Sequence, residues 1–197
     1  MRFRLLLSCL ICATFAASAA FAQTKTAPNA LGTFGGWKAY SYTDKSQPVC
    51  YMALALHPAP NKKLKRGAGW LMITHRPGEG SKDVVSFTSG YSFKPSTEAK
   101  IIIDKTGFSL FTQTETAWSR DTSTDHALAA AIRNGESMKI TGTPAAKGTK
   151  PVTDAISLKG SEAAYAAIGK ACGYPEEKKP TAKKPVAAKP LPAAKKH

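Results

Sequence analysis

Negative charge is scarce in this chain, and recognisable catalytic motifs are absent. Thirteen Asp and Glu stand against 28 Lys and Arg in 197 residues, a formal net charge of +15. That balance excludes a preference for cationic partners and favours acidic ones: anionic lipid, lipopolysaccharide, acidic polysaccharide or nucleic acid. There is no Walker phosphate loop and no dinucleotide fingerprint, because Gly67-Ala68-Gly69 precedes a strand-like run and does not open a helix. Gly107-Phe108-Ser109-Leu110-Phe111 begins like a nucleophile elbow and ends in Phe where Gly is required. His57, His75, His126 and His197 have no short ligand spacing, so no metal or other cofactor is expected. Beyond residue 22 no apolar run reaches the ~20 residues of a membrane-spanning helix.

What is present begins at the N-terminus. Arg2 and Arg4 precede an apolar run from Leu5 through Phe15, and Ala20-Phe21-Ala22 places small residues where a signal peptidase cleaves. Residues 1–22 therefore read as a secretory signal peptide cut between Ala22 and Gln23. Leu6-Leu7-Ser8-Cys9 superficially matches a lipoprotein box, but Cys9 comes before the apolar run is complete. The expected location is the periplasm, the outer surface or the medium, and export makes nucleic acid an unexpected partner. Arg2 and Arg4 leave with the signal, so +15 becomes +13. Cys9 and Cys12 leave too, and the remaining pair, Cys50 and Cys172, reads as a disulfide in an oxidising compartment. Two buried thiols or a metal site fit less well, the latter because the two cysteines are far apart.

Residues 23–33 are small and polar and read as a flexible segment. From Phe34 to Tyr174 the pattern is one β-rich domain. Strand-like runs cover Trp37–Tyr42, Val49–Leu56, Trp70–Arg76, Val84–Tyr91, Lys100–Asp104, Phe108–Phe111, Ser137–Gly142 and Pro151–Leu158, with a hairpin turn at Lys105-Thr106-Gly107. Two helices are expected: Thr124–Arg133, stopped by Asn134-Gly135, and Ser161–Cys172, with Ser161 as N-cap and Gly173 as stop. Regularly spaced short strands predict a mainly β fold, a β-sandwich with two short helices at its ends.

The aromatics Trp37, Tyr40, Tyr42, Trp70 and Trp118 could form a sugar-stacking platform, though alternation on strands points to core. Asp121 and Asp125 could be an acid pair for hydrolysis, though helix capping explains them better. Lys62, Lys63, Lys65 and Arg66 make a basic loop and a candidate anion-binding patch. From Pro175 the chain turns to Lys, Ala and Pro. Residues 175–197 should form a disordered polycationic tail, with Lys178, Lys179, Lys183 and Lys184 as further anion-binding candidates.

Gly36-Trp37-Lys38-Ala39-Tyr40 and Pro48-Val49-Cys50-Tyr51-Met52 resemble the invasion associated locus B family. Trp118 to Gly142, and the Leu158-Lys159-Gly160 exit into a closing helix, follow the same pattern. The resemblance covers about residues 34–172. It implies an exported alphaproteobacterial envelope protein with an immunoglobulin-like β-sandwich, linked in pathogenic members to host-cell invasion, and it brings no catalytic residues. The reading is thus a non-enzymatic envelope protein that binds an anionic envelope polymer, a membrane surface or a host-cell surface. An envelope hydrolase using acidic residues is the alternative. A structural factor tethered to peptidoglycan or lipopolysaccharide by its tail is another.

Overall fold

The computed structural model describes residues 27–57 and 64–174. The expected signal peptide (1–22), the expected lysine-rich tail (175–197) and Lys62 and Lys63 lie outside the described residues. The elements run β1 (Asn29–Phe34), β2 (Trp37–Asp44), β3 (Gln47–Leu56), β4 (Gly69–Arg76) and β5 (Ser81–Thr88), then β6 (Glu98–Ile103), β7 (Thr106–Gln113), β8 (Thr116–Trp118), α1 (Thr122–Asn134), β9 (Ser137–Gly142), β10 (Val152–Ser157) and α2 (Ser161–Ala171).

The fold is mainly β with two helices. All ten strands are antiparallel and hydrogen-bonded in the order β1-β2-β3-β4-β5-β8-β7-β6-β9-β10. Alternation decides the faces. Along β4, Leu71, Ile73 and His75 are buried while Trp70, Met72, Thr74 and Arg76 are not. Along β6, Ala99, Ile101 and Ile103 are buried between exposed neighbours. Inward residues from both halves of this sheet belong to one buried cluster with Leu128 and Ile132 of α1 and Ala164 and Ile168 of α2. The layers therefore share one core, and the helices pack on its inner side, α1 against β5 and α2 against β1, β2 and β3.

The sheet folds over until its ends meet. Arg66, ahead of β4, bonds Asp154 of β10. The turn between β1 and β2 touches the turn into α2 so closely that a Cβ on Gly160 would collide with the Phe34 carbonyl. Gly160 also holds φ 91°, a conformation glycine adopts readily.

Several expectations need correction. Residues 29–33, expected to be flexible, lie in β1, whose backbone pairs with β2 from Asn29↔Ser41 to Phe34↔Trp37. Its small residues carry little apolar signal, and the neighbouring strand supplies the order. The hairpin after β6 turns at Asp104-Lys105, since Ile103 pairs with Thr106 and places Thr106 and Gly107 in β7. The α1 N-cap is Asp121, whose carboxylate accepts from the Thr124 backbone N–H at 2.8 Å. The α2 N-cap is Gly160, and the Ser161 hydroxyl donates to the Ile132 carbonyl at 2.8 Å, joining the two helices.

Candidate functional site

β5 departs from regular pairing where it leaves β4. The register shifts between Thr74 and Arg76, where Lys82 and Asp83 of β5 bulge opposite the single residue His75, and Asp83 takes φ 65°. For a non-glycine residue this conformation costs about 1–2 kcal/mol, and bulges of this kind re-aim side chains. The re-aimed side chain is a carboxylate that is almost buried. Tyr165 of α2 donates its hydroxyl to Asp83 Oδ1 at 2.6 Å, and His126 Nδ1 of α1 lies 2.7 Å from Oδ2. The Asp83 backbone N–H donates to His75 Nδ1 at 3.1 Å. One residue thus ties β4, β5, α1 and α2 together.

Above this junction opens a cleft of about 320 Å³. Arg133, in the last turn of α1, places its guanidinium 4.9 Å from the Tyr165 ring centre, and Lys82 places its ammonium 5.4 Å from that of Tyr174. Among the described residues no carboxylate lies within ion-pair distance of either cation. The cleft lining contains no Ser, Thr or Cys; its hydroxyls are those of Tyr165, which donates to Asp83, and Tyr174.

The residues singled out from sequence disperse. Asp121 caps α1, and Asp125 Oδ1 accepts from the Val85 backbone N–H at 3.0 Å, fastening α1 to β5. Burial raises the Asp125 pKa despite that bond. With both carboxylates spent on backbone N–H groups, they do not form a facing acid pair. Lys65 is exposed. Arg66 is not a free anion-binding cation: its side chain is only 7% exposed and is paired with Asp154. Trp37 is core at 0% exposure, whereas Tyr40, Tyr42, Trp70 and Trp118 point to the outer face of the sheet. There Tyr40 stacks on Tyr51 and Trp118 on Phe111. The expected Cys50–Cys172 disulfide is present, spanning 122 residues.

The sequence profile of the invasion associated locus B (IalB) protein family matches residues 37–169. The chain belongs to the IalB family. A solved structure of invasion associated protein B from Bartonella henselae superposes with a TM-score of 0.51 at 20% identity, covering 74% of this chain and 97% of that one. That likeness shows a shared fold. No curated protein matches.

In this IalB-family chain the disulfide stands beside the Asp83 junction, since Cys50 pairs with His75 across β3 and β4. His75 itself is fully buried, and its Nε2 finds no partner among the described residues. Because Nδ1 accepts from the Asp83 N–H, the neutral ring carries its proton on Nε2. Burial holds the His75 pKa below the ordinary 6.5, outweighing the opposing attraction of Asp83. The unfolded chain then takes up a proton before the native protein does. Stability should therefore fall as pH drops below about 6.5 toward the native value. Melting curves between pH 7.5 and 5 test this, and His75→Gln should flatten the acid limb. A slope unchanged by the substitution would assign the loss elsewhere.

No signature in the sequence marks Lys82, Asp83, Arg133, Tyr165 or Tyr174. They come from four separate stretches of chain, and only folding assembles them.

Proposed function

We propose that this IalB-family protein is exported to the cell envelope and acts there without catalysis, binding an anionic component of the envelope or of a host-cell surface. One observation carries the reading: among the described residues no lysine forms an ion pair, and every paired carboxylate is held by Arg or His. Lys38, Lys100, Lys139, Lys159 and Lys170 are all exposed, so the positive excess faces solvent. A further seven lysines follow Pro175. No described helix is long and apolar enough to cross a membrane, and attachment would be electrostatic.

Full-length protein should bind lipopolysaccharide or anionic vesicles with an affinity that falls steeply with salt, because exposed charges are screened beyond ~10 Å at 0.1 M. Deleting residues 175–197 should remove most of that binding and leave the melting temperature nearly unchanged. Equal binding by the shortened protein would sink the role of the tail, and salt-independent binding would sink the electrostatic reading as a whole.

A further inference from the structure

We propose that the cleft between β5, α1 and α2 is a specific site for a singly charged anion carried on a small ring, a carboxylated sugar residue of a surface polysaccharide. This goes beyond diffuse attraction, for it locates a shaped site on the folded head.

Charge selects the anion. Lys82 and Arg133 supply two positive charges, and Asp83 returns one negative, so these three side chains leave a single positive charge. Both Asp83 oxygens are already engaged, one by Tyr165 and one by His126, so the carboxylate serves as a fixed counter-charge and orienting group. A net +1 matches a carboxylate monoanion better than a phosphate monoester dianion. Arg133 can offer its planar fork to a carboxylate, and Lys82 adds a point charge. With Nδ1 directed at Asp83, His126 keeps Nε2 for a ligand hydroxyl, and the ring is partly open to solvent.

Size and lining select the carrier. About 320 Å³ is at the lower end of ligand pockets, which suits one sugar ring and not a run of polymer. The Tyr174 ring and the Ala130 methyl give an apolar wall for the C–H face of such a ring. The floor is built for rigidity: the left-handed backbone at Asp83 is held by contacts from β4, α1 and α2. Positions kept in uncommon backbone geometry by surrounding structure concentrate at functional sites.

The probe is glucuronate, titrated into full-length protein and followed by calorimetry and by NMR shifts, with glucose and inorganic phosphate as comparison ligands. Saturable glucuronate binding is expected, at least tenfold tighter than glucose and tighter than phosphate. Arg133→Gln and Lys82→Gln should each weaken it at least fivefold, and Arg133→Lys should restore part of the loss. Lys82 and Arg133 line the cleft and are only partly buried, and unchanged melting curves establish that the variants are folded. If Arg133→Gln fails to fold, Lys82→Gln decides alone. The absence of saturable binding, equal binding of glucose, or indifference to both substitutions overturns the proposal. Tighter binding of phosphate overturns the assigned ligand class. Both variants retain the tail, so its salt-sensitive polyanion binding can fail or survive independently of this site.

Discussion

Cys50→Ser should lower the melting temperature of the oxidised protein by roughly 10–20 °C. The bond joins β3 to the C-terminal end of α2 across 122 residues. Cross-linking a loop of that length removes chain entropy from the unfolded state worth about 4–5 kcal/mol. In a domain of this size each kcal/mol moves the midpoint by roughly 2–4 °C. Native packing reinforces the loss, because Cys50 is fully buried and Cys172 nearly so, and a serine hydroxyl at residue 50 would enter an apolar cluster. Cys172→Ser and the double variant should fall by similar amounts, since the bond is lost only once. Two thiols titrating in denatured, unreduced protein would refute the bond, and a drop of only a degree or two would refute its weight.

Arg66→Met should destabilise the fold by about 3–5 kcal/mol, the usual penalty for removing one member of a buried ion pair. The guanidinium donates from Nη1 and Nη2 to the two Asp154 oxygens at 2.8 and 2.9 Å. It also reaches the Ser89 carbonyl at 2.7 Å from Nη2, and its Cζ lies 5.1 Å from the Tyr91 ring centre. The Tyr91 hydroxyl is buried beside this pair, and burial pushes its pKa up to about 12. Without Arg66 the Asp154 side chain, 13% exposed, would keep a charge with neither partner nor full hydration. Arg66→Met with Asp154→Leu should recover most of the loss, because no stranded carboxylate remains. Chemical denaturation of the parent, Arg66→Met, Asp154→Leu and the double variant completes the cycle, and an Arg66→Met loss under about 1 kcal/mol would show the pair to be dispensable.

Much of this architecture is readable locally. Val49–Leu56, Trp70–Arg76 and Ser137–Gly142 announce strands by their apolar and β-branched content, and the observed strands contain them. The helix after residue 121 and the helix ending near Gly173 are marked by caps and stops that act within a few residues. The disulfide is legible because only two cysteines, Cys50 and Cys172, lie beyond residue 22. β1 and β8 are missed for a physical reason: one mixes small and polar residues with only Leu31 and Phe34 as large apolar ones and the other is three residues long, so both depend on a neighbouring strand for their order.

Faces and sites are different in kind. Alternation marks Trp37 and Tyr40 as lying on opposite sides of β2, but the placement of α1 and α2 makes Trp37 core and leaves Tyr40 outside. Arg66 reads as one more cation in a basic loop until sheet closure brings Asp154, 88 residues later, against it. Asp83 stands between Lys82 and Val84 with nothing to distinguish it, and its role arises from a bulge that exists only in pairing with β4. By itself the sequence determined what depends on neighbours within a turn or a strand: element type, caps, the cysteine inventory and the sign of the charge. Only the tertiary structure decided which faces are inward, which charges are neutralised and which side chains converge on a cleft. Those outcomes depend on contacts between residues far apart in the chain, whose encounter is governed by the closure of the sheet and not by local preference.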